Sequence, residues 1–420
     1  MRCLVVRLSS LGDVVLATAV LDPLRELGRI TWLTGPPYDS LLRNDPRIDE
    51  VVVWEGRFPW RLLRSGRFDV VVDLHRIPKT LLLSALVPAG RRLGYPKARR
   101  ARVELVRGKR ASPVPHVVAR YLGTLAPLGV RTDGRPRIFV SEEARRRAEG
   151  LLRDVPTPFV AVAPGAKWPT KRWRPEAFAK VIEKLVDRGC GVVLVGEEGE
   201  EEFSDEVRRL AGRDVPSLVG KTDLPTLAGV LSLASALLGN DSGPVHLANA
   251  VGTPAVAIFG PTHPKLGFYP LEGRALTADL PCSPCSLHGE GPCRRGERMC
   301  MHEVTPDEVL GALEEFLSKE GGGHGGEGQE LPALLQPRGH VPDGCYAADG
   351  KAYKPRNRQD RKGPRTGEVF DRHPRHAPGE DQGEPHGRGK EVPGPRALRT
   401  KAELRGRGGE GQEKGEEGGC

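Results

Sequence analysis

Short apolar runs alternate with longer amphipathic stretches along most of the chain, and this pattern restricts the possible fold more than any other feature. Four runs of strand length come early in the sequence: Leu4–Leu8, Ile30–Thr34, Val51–Trp54 and Val70–Leu74. Helices are predicted over Val14–Leu27 and His116–Leu128. This alternation is typical of parallel β/α units, because parallel strands are buried on both faces and are connected by helices.

The alternation restarts after a proline-rich connector, residues 135–158, which surrounds a charged helix beginning near Ser141. Further strands are predicted at Phe159–Ala163, Gly191–Val195, Ser217–Val219, Ala234–Leu238 and Ala255–Phe259. Further helices are predicted at Pro175–Arg188, Glu200–Ala211, Leu224–Leu233, Pro244–Val251 and Pro306–Leu317. The two series predict an α/β protein of two Rossmann-like domains facing across a cleft, residues 1–155 and 156–320.

Residues 321–420 differ in composition from the rest of the chain. They hold 23 of the 53 glycines and few large apolar side chains, and the mean hydropathy of the whole chain is −0.40. Such a segment buries too little apolar surface to offset the entropy lost on ordering. We therefore expect a disordered C-terminal tail.

The formal net charge of +9 and the isoelectric point near 9.2 predict anionic partners, such as nucleic acid, phospholipid or phosphorylated glycan. Many cations lie between residues 91 and 110, among them Arg92, Lys97, Arg99 and Arg100. A solvated loop is the alternative interpretation of this run. Because no nucleic-acid-binding motif or ladder of aromatic residues accompanies it, a membrane surface is favoured over nucleic acid.

Membrane insertion and secretion are not expected from the sequence. No stretch approaches the roughly 18 to 20 continuous apolar residues that span a bilayer. The segment Met1–Leu8 is too short and too charged for a secretory signal, and it is predicted to be a buried strand. The sequence thus predicts a cytoplasmic protein.

Unusual residues follow several of the predicted strands. Ligands of open α/β sheets bind at the carboxyl ends of the strands, so these loops would gather at the cleft. The first loop, residues 9–13, contains Gly12, which permits a tight turn, and Asp13 at the helix start. Asp13 either caps the helix or acts as a general base that takes the proton of an attacking hydroxyl.

A second loop, residues 163–173, holds three cations and two tryptophans directly after a buried strand. Lys167 and Lys171 suit neutralisation of a pyrophosphate, and Arg172 is a third candidate. Trp173 is expected to pack on the following helix. The loop at residues 195–200 is too acidic to hold phosphates; it either reaches ribose hydroxyls or caps its helix, and the cap is favoured.

The loop at residues 239–246 joins a strand to a helix through small, oxygen-bearing residues. Free N–H groups at Ser242, Gly243 and Val245 would point at an anion such as a nucleotide diphosphate. Helix capping by Asp241 or Ser242 is the alternative. His246, one turn into the helix, either hydrogen-bonds a phosphate or sugar or belongs to the core.

Together these motifs resemble glycosyltransferase family nine, the ADP-heptose:lipopolysaccharide heptosyltransferases. The resemblance covers residues 1 to about 318 and rests on Arg7–Val15, Pro164–Trp168, Lys171–Trp173 and Gly239–His246. It implies a GT-B fold, ADP-L-glycero-β-D-manno-heptose as donor, and inversion of the anomeric centre without a metal ion. It also implies that Asp13 is the catalytic base. Ser242 departs from the threonine that the family often has, but it keeps the hydroxyl.

The resemblance implies an anionic glycolipid acceptor as well, the Kdo-lipid A or heptosylated inner core of lipopolysaccharide, and no cofactor beyond the donor. The predicted donor contacts are Lys167, Lys171, Asp241, Ser242, Gly243 and His246. The predicted acceptor contacts are Ser9, Ser10, Arg92, Lys97, Arg99 and Arg100. We expect a peripheral protein at the cytoplasmic face of the inner membrane. Another nucleotide-sugar transferase of surface glycan synthesis is the alternative enzyme.

A cluster of four cysteines supports a competing interpretation. The spacing of Cys282, Cys285, Cys293 and Cys300 suits a tetrahedral zinc site, although free thiols or disulfides are the alternatives. A zinc site here would fit a non-catalytic basic module that binds RNA or membrane. The placement of Asp13, Lys171 and Asp241 on separate strand-end loops favours the enzyme.

Overall fold

The computed structural model describes residues 1–109, 112–130, 133–278 and 280–318, which all belong to one compact unit. The predicted tail, residues 321–420, lies outside the described residues. Among the described residues no helix is both long enough and apolar enough to cross a membrane.

The first half of the chain forms a parallel sheet of five strands. These strands are β1 (Arg2–Val6), β2 (Arg29–Thr34), β3 (Glu50–Val53), β4 (Phe68–Asp73) and β5 (Ala89–Gly94). Their order across the sheet is β3-β2-β1-β4-β5, with Val5 of the central strand beside Trp32 on one side and Val72 on the other. The central strand is completely buried from Cys3 to Val6, as expected for a parallel sheet covered on both faces.

Eight α-helices accompany this sheet and lead into the second half. They are α1 (Leu11–Ala17), α2 (Leu21–Leu27), α3 (Asp39–Leu42), α4 (Trp60–Arg64), α5 (Pro78–Leu86), α6 (Arg99–Val106), α7 (Val117–Gly123) and α8 (Glu142–Leu151). The side chain of Ser141 accepts a hydrogen bond from the Ala144 N–H and so caps α8, as the sequence predicts.

The second half repeats the architecture with a second parallel sheet of five strands. These are β6 (Phe159–Ala163), β7 (Gly191–Leu194), β8 (Ala236–Asn240), β9 (Ala255–Phe259) and β10 (Gly273–Thr277), in the order β10-β9-β8-β6-β7. Its helices are α9 (Pro175–Asp187), α10 (Glu201–Ala211), α11 (Leu224–Leu233), α12 (Gly243–Ala250), α13 (Met299–His302) and α14 (Pro306–Leu317). The predicted α/β class with two successive parallel sheets is confirmed, whereas the domain boundary near residue 155 stays a prediction.

Several predicted elements differ from the structure. The expected helix over Val14–Leu27 is divided into α1, a 3-10 turn at residues 18–20, and α2. The expected strand at Ser217–Val219 is wrong, because its only β pairing is an isolated parallel bridge between Leu194 and Ser217. The strand expected at Ala234–Leu238 lies two residues later and ends on buried Asn240.

Candidate active site

The loops after β1 and β8 meet where the N-termini of α1 and α12 touch. A Cβ atom on Gly12 of α1 would lie 2.8 Å from Cδ2 of His246 and 3.7 Å from Cα of Gly243. A Cβ atom on Gly243 would in turn lie 2.9 Å from Cδ2 of Leu11. Only glycine permits this approach at either position. The positive ends of two helix dipoles therefore converge on one place, which favours an anion there.

Asp13 lies in the first turn of α1 and receives three donors. Arg7 Nη2 lies 2.5 Å from its Oδ2, and the Ser10 hydroxyl donates to the same oxygen at 3.2 Å. The Tyr121 hydroxyl of α7 donates to Oδ1 at 3.1 Å. A carboxylate offers about four lone-pair positions, so these bonds leave one position open, on Oδ1, among the described residues.

The protonation state of Asp13 follows from these contacts. Burial on its own would raise the pKa of Asp13, but Arg7, Tyr121 and Ser10 together hold that pKa below its usual value. Arg7 is itself fixed, because its Nη1 donates to the Leu74 carbonyl at 2.6 Å. Asp13 is therefore ionised at neutral pH and held in one orientation.

Lys171 and Asp241 form an ion pair at the turn before α12. The Lys171 ammonium lies 2.6 Å from Asp241 Oδ2 and donates to the Asp241 carbonyl at 2.7 Å. The Thr262 hydroxyl also donates to Asp241 Oδ2, at 2.7 Å. Burial favours the neutral acid, yet Lys171 and Thr262 hold the pKa of Asp241 below its usual value. Lys171 retains one N–H without a partner among the described residues, so it can donate to a phosphate while the pair stays intact.

Asn240 joins this turn to the loop that carries Lys171. Its side chain is completely buried; Oδ1 accepts the Trp173 N–H at 2.9 Å, and Nδ2 donates to the carbonyls of Pro164 and Gly165 at 2.7 and 3.0 Å. Trp173 packs edge-on against Phe178 of α9, as the sequence predicts. The position of Lys171 is thus set by buried hydrogen bonds.

His246 and Ser242 lie at the start of α12. The His246 ring is buried, and its Nδ1 has no hydrogen-bond partner among the described residues. Burial lowers the pKa of His246, although the carboxylates of Asp241 and Asp13 oppose the shift, so the ring is neutral at pH 7. The Ser242 hydroxyl donates to the Asn240 carbonyl and does not cap the helix, which leaves the first N–H groups of α12 available.

The remaining predicted donor and acceptor residues are more scattered. Lys167 is exposed, with its ammonium 6.0 Å from the Trp168 ring. Burial and Arg7 lower the pKa of Lys97, while Asp73 and Asp13 oppose the shift. Ser9 and Ser10 lie in the loop directly before α1.

Three predicted acceptor residues lie on secondary structure that the sequence did not indicate. Arg92 is on β5, and its guanidinium donates to the carbonyls of Ser84 and Val87 at 2.6 and 2.8 Å, which satisfies the end of α5. Arg99 and Arg100 are exposed on α6. The predicted basic loop is thus an edge strand followed by a helix.

Sequence reasoning missed Arg7, Tyr121, Thr262 and His75. His75 follows β4, and its Nδ1 accepts the Leu8 N–H at 3.2 Å, so the ring proton lies on Nε2. Burial and the charge of Arg7 lower the pKa of His75 to about 4. Arg7 alone belonged to a motif already singled out, whereas the others reach the site only through tertiary contacts.

The acidic loop before α10 does not cap that helix. Glu200 accepts the Glu197 N–H at 3.0 Å, and its side chain makes no cap to α10, so the expected cap is wrong.

Cys282, Cys285, Cys293 and Cys300 are free cysteines. Within the described part of the chain no group of three or more histidine, cysteine, aspartate or glutamate side chains is arranged to hold a metal ion.

Comparison with known proteins places the chain in a family. The profile described as glycosyltransferase family 9 (heptosyltransferase) matches residues 58–289. Lipopolysaccharide heptosyltransferase 1 of Pseudomonas aeruginosa is 29% identical over 361 residues, covering 76% of this chain and 98% of the relative.

Two solved structures show the same fold. Escherichia coli ADP-heptose lipopolysaccharide heptosyltransferase II has a TM-score of 0.61 at 24% identity, over 76% of this chain and 99% of its own. The E. coli heptosyltransferase WaaC with ADP-2-deoxy-2-fluoro heptose has a TM-score of 0.54 at 20% identity, over 75% and 99%. The predicted GT-B fold is confirmed. The chain belongs to glycosyltransferase family 9 and is a transferase.

Proposed function

We propose that this transferase moves a heptose from ADP-heptose to the inner core of lipopolysaccharide, with inversion at the anomeric carbon and no metal ion in the chemical step. The names of its relatives support the substrates. The observation that carries the proposal is the meeting of the α1 and α12 N-termini, with ionised Asp13 on one side and Lys171 on the other.

In the proposed reaction Asp13 Oδ1 takes the proton of the acceptor hydroxyl through its open lone-pair position. The acceptor oxygen then forms a bond to the anomeric carbon, and the bond from that carbon to the β-phosphate oxygen breaks. The electron pair leaves with ADP, so a protein acid is not needed for departure. The low pKa of Asp13 makes it a weak base, which suits a proton that is transferred only as the new bond forms.

The donor phosphates are proposed to lie against the start of α12. The unused Lys171 N–H and the backbone N–H groups of Ser242, Gly243 and Val245 supply donors there, and His246 Nδ1 is a further polar atom at the same place. Lys167, being exposed, would contribute charge at the edge. Residues 156–320 then form the donor domain and residues 1–155 the acceptor domain.

The acceptor is proposed to enter beside β1 and β4. Ser10 bonds Asp13 and Ser9 precedes it, while Lys97 lies between β5 and α6 and Arg99 and Arg100 lie on α6. Arg92 would act through its charge, because its N–H groups already serve carbonyls of α5. An acceptor attached to lipid places the protein at the cytoplasmic face of the inner membrane.

The proposal is tested with Asp13→Asn, which keeps the shape of the side chain. We expect kcat for heptose transfer to fall by about 10²- to 10⁴-fold, while the Kd for ADP changes only a few fold. The matched control is Asp205→Asn on α10, whose exposed carboxylate pairs with Arg208. Asp13→Asn turnover equal to wild type would refute the assignment of the base, and a panel of nucleotide sugars as donors would identify a different transferase.

A further inference from the structure

Exposed apolar side chains are concentrated on two consecutive helices of the first half. Ten large apolar side chains of the described residues are exposed, and four of them lie on α4 and α5: Trp60 at 61%, Leu81 at 46%, Leu82 at 56% and Leu86 at 49%. The other six are spread over different elements. Isolated exposed leucines are ordinary, whereas a group on one surface indicates a binding partner.

The two helices present a single surface. Leu62 of α4 and Leu83 of α5 are buried in the same core cluster, so both helices cover the same side of the first sheet. The Lys79 ammonium lies 5.1 Å from the Trp54 ring, and a chain of aromatic rings runs from Trp54 through Phe58 to Trp60. We call this surface the α4–α5 face; it comprises Arg57, Trp60, Arg61, Arg64, Lys79, Leu81, Leu82 and Leu86.

The charge of the α4–α5 face is positive. Arg57, Arg64 and Lys79 are exposed, and Arg61 pairs with Glu50. A groove of about 560 Å³ opens beside Trp60. Its lining includes Phe58, Glu55 and three arginines, Arg43, Arg57 and Arg61, of which Arg43 pairs with Asp39. The surface thus combines aliphatic and aromatic groups with guanidinium groups that suit phosphate.

We propose that the α4–α5 face docks the protein on an anionic lipid bilayer. Trp60 and the three leucines would enter the boundary between headgroups and acyl chains, and the arginines would contact headgroup phosphates. A second copy of the chain fits less well, because a twofold contact through this face would bring like charges together. This inference rests on the proposed function, because an acceptor attached to lipid is found at a membrane and the protein must reach it there.

The position of the face relative to the site supports this occupant. The α5 helix begins at Pro78, close along the chain to Asp73 at the carboxyl end of β4. His75 in the intervening loop bonds Leu8, next to the loop that carries Asp13. The face therefore starts at the edge of the sheet where the acceptor is proposed to bind, and a bilayer lying on it would present headgroups to that edge.

The test uses the full chain and vesicles of phosphatidylcholine with about one third phosphatidylglycerol, compared with phosphatidylcholine alone. We expect Leu82→Ser/Leu86→Ser to weaken cosedimentation with anionic vesicles by about tenfold or more, because two apolar side chains no longer enter the interface. Arg64→Gln is expected to weaken it by about fivefold and only with anionic lipid. The control is Leu210→Ser, which is 39% exposed on α10, outside the face.

Residues beyond 318 are common to all variants, so their contribution to lipid binding cancels. Equal vesicle binding by Leu82→Ser/Leu86→Ser and by wild type would overturn the proposal. So would a wild-type dimer in sedimentation velocity that becomes monomeric in the double variant, since a second copy would then occupy the face. Vesicle binding is measured without turnover, so failure of heptose transfer alone would count against the proposed function and not against docking.

Discussion

Replacement of Lys171 with methionine is expected to destabilise the protein, because the Asp241 carboxylate then lacks its ion-pair partner. In the structure the side chains of Lys171 and Asp241 are 15% and 13% exposed, and the ammonium makes two contacts to Asp241. Breaking a fully buried pair costs about 3 to 5 kcal/mol, and the residual exposure together with the Thr262 hydrogen bond reduces this to about 2 to 3 kcal/mol. We expect Tm to fall by about 3 to 5 °C.

The double variant Lys171→Met/Asp241→Asn separates the ion pair from packing. Asparagine leaves no unpaired buried charge and still accepts a hydrogen bond from the Thr262 hydroxyl. Most of the lost Tm should therefore return. ADP binding should not return, because both variants lack the Lys171 N–H that is proposed to face the phosphate; we expect the Kd for ADP to rise about tenfold or more in both. Isothermal titration and thermal melting measure the two effects on the same samples.

The pH dependence of the Lys171→Met effect has a definite sign. The pKa of Asp241 is lowered in the folded wild type, so the pair stabilises the protein above the unfolded pKa, and this contribution is lost as pH falls through the folded pKa. In Lys171→Met, burial acts without the lysine and raises the pKa of Asp241. The difference in Tm between wild type and Lys171→Met should therefore be largest near pH 7 and shrink toward pH 4. A difference that is independent of pH, or unrelieved by Asp241→Asn, would refute this account.

Three further substitutions test other contacts of the site. Tyr121→Phe removes the donor to Asp13 Oδ1, which raises the pKa of Asp13; the acidic limb of the pH profile for kcat should move to higher pH, and an unmoved limb would count against the bond. Asn240→Ala leaves three buried backbone groups unpaired and should lower stability to urea by about 3 kcal/mol, whereas a loss below about 1 kcal/mol would show that water replaces the amide. Gly12→Ala places a methyl 2.8 Å from His246 and should lower kcat/KM by about 10- to 100-fold. Its control is Gly311→Ala, where nothing lies within 4 Å; equal effects of the two would refute the steric explanation.

The sequence predicted elements best where a clear signal marks the start of the element. Helix α14 has the predicted bounds, because Thr305 and Glu308 form a capping box ahead of a clear apolar period. The edge strands β3 and β7 were predicted, so a position at the edge does not explain why β5 and β10 were missed. The two missed strands are half-exposed, with Arg91 and Arg92 on β5, and they lack the apolar run that marks the other strands.

The sequence predicted where the candidate site lies but not which of its side chains bond to one another. Glycine, aspartate and lysine after strands indicated which loops meet, because carboxyl ends of parallel strands share one edge. The partners of Asp13 come from the end of β1 and from α7, far apart in sequence, and only packing brings Tyr121 within 3.1 Å. The pairing of Lys171 with Asp241 was likewise hidden, since each was expected to face phosphate directly.

The three donors that surround Asp13 bear on regiochemistry. With Asp13 as the base, only one lone-pair direction on Oδ1 is open to an incoming hydroxyl among the described residues. Neighbouring hydroxyls of a sugar differ in the direction of their O–H bonds, so only one of them can meet that direction while its oxygen faces the anomeric carbon. The linkage formed would then be selected by Arg7, Ser10 and Tyr121, through the lone pairs of Asp13 that they occupy.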